Sequence, residues 1–127
     1  MDEPTKNEIK YWVETSKHDY KTMLGLFSIK RYSDSLFYGH IVLEKILKAL
    51  VVQKIGEKLP KIHNLETLAV LAEVKIKKKD INLLNIVNRF NIRARYPNFK
   101  LDFYKMCTRD YTLGYLDKIK ILYSKLC

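Results

Sequence analysis

Three ionisable side chains stand four residues apart in the run FYGHIVLEKILKAL, residues 37–50: His40, Glu44 and Lys48. A four-residue step advances close to one helical turn, so an imidazole, a carboxylate and an ammonium climb one side of a helix. Such a line can move a proton, hold an anion or neutralise itself. Glu before Lys is the favourable order for a helical pair, worth about 0.2–0.5 kcal/mol when exposed. That gain does not offset burial, because an ionised group taken out of water without good pairing costs several kcal/mol. The line is therefore expected to face a cleft or a subunit interface. The alternative is a pair of long side chains that merely reach out to solvent. A metal set of His40, Glu44 and His63 has no second His- or carboxylate-rich motif behind it, and neither metal nor cofactor is expected.

The stretch Arg93-x-Arg95-Tyr96-Pro97 is the second place where chemistry can concentrate. Guanidinium groups fork onto phosphate, and a tyrosine beside them can stack on a base or donate its hydroxyl. With Lys48 and His63, the residues Arg93, Arg95 and Tyr96 form the candidate set for nucleotide or RNA binding. His40, Glu44 and Lys45 form a structural polar cluster. The competing reading is structural throughout: Tyr96 and Pro97 end a helix and plug the core, while the arginines pair with Glu44 or Asp110. Lys75, Lys77, Lys78 and Lys79 in KIKKKD read as a solvated connector. No GxxxxGK[ST] phosphate loop and no GxSxG nucleophile elbow occurs. Cys107 and Cys127 belong to no CxxC pair or zinc spacing and are read as reduced thiols.

The elements that must carry these residues are helical. Four glycines and three prolines in 127 residues are too few for a turn-rich β protein, and apolar residues recur at three- and four-residue steps. Thr5 with Glu8 has capping-box spacing and opens a first helix from about residue 5 to 29. Ser33 or Asp34 can cap a second, which Gly56 stops after Lys54. That helix is apolar nearly all round and is expected at the centre of the bundle. Pro60 falls in a loop. Asn64 caps a short helix through Leu65, Leu68, Leu71 and Ala72, and Asp80 can cap the next, which must end before Pro97. The last runs over about 107–126, with Tyr111, Tyr115, Ile119, Leu122 and Leu126 on one stripe. The expectation is one all-α domain over residues 1–127, an up-and-down antiparallel bundle of four long helices and one short one.

The composition, 47% apolar and 30% charged, suits a globular domain. No run approaches the ~18 uninterrupted apolar residues of a bilayer span. The segment MDEPTKNEIK lacks an apolar signal region, so a cytoplasmic location without membrane association is expected. Lys plus Arg number 24 against 14 Asp plus Glu, a formal charge of +10 that favours an anionic partner: nucleotide, nucleic acid or acidic protein.

The segment FYGHIVLEKILKAL resembles the signature helix of HEPN domains, which reads as an aromatic, then Gln, then Glu-Lys, Leu, Lys-Ala and a further Leu. Phe37, Glu44, Lys45, Leu47, Lys48, Ala49 and Leu50 match, and His40 stands where Gln is usual. Ile62-His63-Asn64-Leu65 resembles the family's Thr-His-Asp-Leu step from loop to helix. Ala94-Arg95-Tyr96-Pro97 resembles the Ala-Arg-Tyr-Pro element of one subgroup. Trp12, Lys17, Asp19 and Tyr20 are similar to the opening Trp-x-x-x-Ala-x-x-Asp pattern, without its Ala.

The resemblance implies an all-α bundle, usually a homodimer, found beside small nucleotidyltransferases or within prokaryotic toxin-antitoxin systems. Some members are metal-independent ribonucleases that use an Arg, four to six residues of any type, and a His. Here no arginine is followed by a histidine at that distance, since His63 is the last histidine. A non-catalytic module is therefore expected, engaging nucleotide, RNA or a partner nucleotidyltransferase. The alternatives are a ribonuclease toxin with a rearranged Arg and His63 site, and an antitoxin or scaffolding subunit that binds only protein.

Overall fold

The computed structural model describes residues 1–59 and 61–127, so the loop expectation at Pro60 lies outside the described residues. Among them there are helices and no strands: α1 Glu3–Ser28, α2 Tyr32–Ile55, α3 Leu65–Leu71, α4 Lys78–Arg95, α5 Pro97–Met106 and α6 Arg109–Leu126. The chain is an all-α helical bundle. No described helix is long and apolar enough to cross a membrane.

Helix α2 is the axis. It packs against each of the other five helices and buries Leu36, Leu43, Ile46, Leu47 and Val51, as its all-round apolar surface requires. Gly39 lets α6 approach: a Cβ there would lie 2.8 Å from Ile119 Cδ1. Ser35 ties α2 to α1 by donating to the Met23 carbonyl at 2.8 Å. Helix α1 meets α6 where Ser16 and Tyr123 share a hydrogen bond of 3.0 Å and Tyr20 stacks on Tyr123.

The helix starts differ from the sequence reading. Asp2, not Thr5, caps α1, its carboxylate accepting from Thr5 N at 2.9 Å. An anionic acceptor suits the positive end of the helix, and Pro4 in the first turn loses no needed N–H. Glu8 is thereby free of a capping role and accepts from Leu59 N at 3.4 Å. Neither Ser33 nor Asp34 caps α2; both lie inside its first turn, and Arg31 at the cap position offers no side-chain acceptor. Asn64 does cap α3, accepting from Thr67 N at 3.1 Å, and Gly56 ends α2 with φ 72°, a conformation glycine adopts without strain.

Asp80 sits in the first turn of α4 instead of at its cap and accepts from Lys77 N at 3.4 Å. Lys78 and Lys79 are consequently helical, so only part of KIKKKD is a connector. The bundle also holds a sixth helix that periodicity did not mark. Pro97 ends α4 as expected but starts α5, because proline is suited to the first helical position. Phe103 of α5 is buried, its ring 5.6 Å from that of Phe90.

Candidate functional site

The three-residue line of α2 points inward. His40 is 2% exposed, and the side chains of Glu44 and Lys48 are 13% and 11% exposed. Glu44 is the hub. Its Oε2 lies 3.0 Å from Lys48 Nζ and 2.6 Å from His63 Nδ1, while Oε1 lies 3.7 Å from His40 Nδ1. Lys48 Nζ also sits 4.8 Å from the centre of the Trp12 ring, a cation-π contact that compensates part of its lost hydration. The line thus lies in a closed, internally paired seam, with His63 at its edge: that ring is 73% exposed while its Nδ1 is held by the carboxylate.

Lys45 does not join this cluster. One residue on from Glu44 it points about 100° round the helix, and it pairs with Asp19 of α1. Lys45 with Asp19 and Lys48 with Trp12 therefore fasten α2 to α1.

Helix α4 closes the seam from the other side. Asn91 Nδ2 lies 3.2 Å from His40 Nδ1, and Arg95 Nη1 donates to Asn91 Oδ1 at 3.3 Å. Since guanidinium has no acceptor, the amide oxygen faces Arg95 and the amide nitrogen donates to His40. His40 Nδ1 is then an acceptor, and a neutral ring carries its proton on Nε2. Burial is the main influence on His40 and lowers its pKa; the Glu44 carboxylate and hydrogen bonding of the ring to Asn88 and the His63 backbone oppose it. Asn88 also accepts from Leu65 N at 3.0 Å, fixing the start of α3 beside His63.

Arg93 and Arg95 do not pair with Glu44 or Asp110. Asp110 takes Arg109 at 3.3 Å. Arg93 turns to α5, donating to Met106 Sδ at 3.5 Å, and lines a cavity of about 260 Å³ with Phe99, Asp102, Phe103 and Met106. Arg95 is exposed with Tyr96, its guanidinium 6.0 Å from the tyrosine ring. Tyr96 is 52% exposed and does not plug the core. Of the expected binding residues, Lys48 and His63 meet at Glu44, Arg95 reaches His40 of the same helix through Asn91, Tyr96 flanks Arg95, and Arg93 stands apart. Sequence reading missed Asn88 and Asn91. Their signal is the spacing 88, 91, 95, which puts two amides and a guanidinium on one face of α4. Among the described residues no group of three His, Cys, Asp or Glu side chains is arranged to hold a metal ion.

A helical bundle whose central helix carries a buried polar seam, opening on a histidine and an arginine-tyrosine pair, defines an α-helical domain with a polar seam in its interior. The HEPN domain matches residues 9–123, and the chain belongs to the HEPN domain family. Its fold is similar to that in the crystal structure of TT1696 from Thermus thermophilus, with a TM-score of 0.77, 18% identity, and coverage of 94% of this chain and 96% of that one. No curated protein matches the sequence.

Proposed function

We propose that this chain is a HEPN binding module that takes the phosphate and base of a nucleotide or RNA on the surface formed by Arg95, Tyr96 and His63. The observation that carries the reading is that α2 holds both groups: Arg95 through Asn91 to His40, and the exposed His63 imidazole through Glu44. Arg95 supplies the forked donor for phosphate, Tyr96 a ring face for a base, and His63, held by Glu44 at Nδ1, a free Nε2 that accepts from a ribose hydroxyl or base N–H. Lys48 acts inside, balancing Glu44. The net charge of +10 favours approach of such a ligand.

The same reading has the module work as a homodimer, beside a nucleotidyltransferase-fold partner in a prokaryotic toxin-antitoxin-like pair. Titration with mononucleotides and a short single-stranded RNA tests the ligand. Binding that weakens about tenfold in Arg95→Ala and Tyr96→Ala is expected. Absence of binding to both ligand classes at low salt sinks the reading.

One observation favours a second reading, a ribonuclease with a rearranged site. The pair His63 and Glu44, 2.6 Å apart, has the form of a base oriented by a carboxylate. With Arg95 stabilising charge on the phosphate, His63 can take the proton of an RNA 2′-hydroxyl. Purified protein that cleaves RNA, and loses cleavage in His63→Ala and Arg95→Ala, establishes it. Intact RNA, or undiminished cleavage by both variants, rejects it.

A further inference from the structure

Helices α4 and α6, both packed on α2, run antiparallel. Lys125 Nζ near the end of α6 lies 3.7 Å from Asp80 Oδ2 at the start of α4, and toward the other end the Tyr115 ring lies 5.3 Å from that of Phe90. Between those points the two helices leave a groove of about 360 Å³. The span from Tyr115 to Lys125 along α6 sets its length at about 15 Å, close to three helical turns.

The floor of the groove is apolar. Leu83 is 6% exposed, Ile86 and Tyr115 are half-buried against the core, and Ile121 on the outer wall is 60% exposed. Ile119, Leu122 and Leu126 fill the core side of α6, so Ile121 has no part in the bundle interior. A single exposed isoleucine is ordinary, but this one continues an apolar strip rimmed by charge, which is the mark of a docking surface.

The rim is basic. Lys79 of α4 and Lys118 and Lys125 of α6 line the groove against the one carboxylate of Asp80, so the lining holds two positive charges in excess. Asp80 is engaged within the chain, accepting from Lys77 N at 3.4 Å and pairing with Lys125. Lys118 Nζ is held 5.1 Å from the centre of the Tyr115 ring, a contact that places the ammonium at the edge of the floor without cancelling its charge.

Floor and rim together select the occupant. A second copy of the chain laid on the same face would set these lysines against their counterparts, and like charges juxtaposed across an interface are strongly disfavoured. Single-stranded RNA needs ring faces for its bases, whereas this floor is aliphatic but for Tyr115, whose ring already carries Lys118. An amphipathic helix with acidic flanks satisfies both features: apolar residues at i, i+3 or i+4, and i+7 reach the floor, and carboxylates beside that stripe meet the rim.

We infer that the α4–α6 groove docks an acidic amphipathic helix of a partner protein. Leu83, Ile86 and Ile121 take its apolar stripe, and Lys79 and Lys118 take its carboxylates. The groove shares no residue with the surface of Arg95, Tyr96 and His63 proposed above and stands without it.

The test is titration of the full chain with a synthetic helical peptide of about 14 residues, leucines on one face and glutamates on both sides of them. The controls are a scrambled peptide of the same composition and a short single-stranded RNA. Backbone amide NMR signals locate binding, and sedimentation velocity reports self-association. Saturable shifts along residues 79–86 and 115–125 are expected with the amphipathic peptide, at an affinity about tenfold above that of the scrambled one. Ile121→Glu and Lys118→Glu alter exposed residues and should melt with wild type, yet each should weaken peptide binding about tenfold. A peptide with one glutamate changed to lysine should bind Lys118→Glu better than the parent peptide does. Equal affinity for the scrambled peptide, no saturable binding, or wild-type affinity in Ile121→Glu overturns the inference. RNA that shifts the same groove signals assigns the face to nucleic acid, and a dimer that dissociates in Ile121→Glu assigns it to a second copy; either result also overturns it.

Discussion

Replacing Glu44 by Gln keeps the shape of the hub and removes its charge, leaving Lys48 with an ammonium that is 11% exposed and has only the Trp12 ring as compensation. Removing one partner of a buried pair costs about 3–5 kcal/mol. The residual exposure of both side chains brings the expected loss to about 2–3 kcal/mol. For 127 residues the unfolding entropy near the midpoint is about 0.27 kcal/mol/K, so Tm should fall by about 7–11 °C. Lys48→Met removes the stranded charge, and the double variant Glu44→Gln/Lys48→Met should recover most of the loss, a coupling of at least ~1 kcal/mol. Urea denaturation of the four proteins measures the cycle. A Glu44→Gln protein within ~0.5 kcal/mol of wild type, or single losses that simply add, would refute the assignment of Glu44 as the hub of the seam.

Three further outcomes are expected. His40 is neutral in the folded chain and its pKa is lowered by burial, so below about 6.5 the unfolded chain takes a proton that the folded chain resists. Stability should fall as pH drops from about 6.5 towards the folded pKa, by at most about 1.4 kcal/mol per pH unit, and His40→Gln should flatten that dependence in pH-resolved denaturation. Gly39→Ala places a methyl 2.8 Å from Ile119 Cδ1; overpacking should outweigh the helix-propensity gain and cost about 1–2 kcal/mol by thermal melting. With iodoacetamide at neutral pH, mass spectrometry should find the exposed Cys127 alkylated first and the buried Cys107, whose thiol is pushed up to about 12, modified only on unfolding.

The central helix and the polar line upon it were legible because both follow from spacing within one segment: His40, Glu44 and Lys48 share a face whatever else the chain does. Gly56 and Asn64 were legible for the same local reason. What spacing does not carry is the partner. Nothing local says that Glu44 turns to His63 rather than to Arg93, that Lys45 crosses to Asp19, or that Asn91 bridges His40 and Arg95. Those pairings are set by how α1, α3 and α4 dock on α2. The line was expected at a cleft or a subunit interface; within the chain, Trp12, Asn91 and His63 supply much of the compensation that burial demands. Helix α5 was missed because Pro97 was read only as a stop although it also starts a helix; Phe99, Phe103 and Met106 stand at helical spacing within its ten residues. The caps at residues 2 and 77 were displaced by about one turn for a related reason: several polar residues near each start can serve, and only the folded backbone selects one.

The salt dependence of single-stranded RNA affinity, measured for wild type and Arg95→Ala, tests the proposed surface most directly. An exposed arginine that neutralises one phosphate should lower the slope of log K against log salt by about 0.7 when removed, along with the affinity itself. An Arg95→Ala protein with the affinity and slope of wild type would contradict the assignment of phosphate recognition to the end of α4.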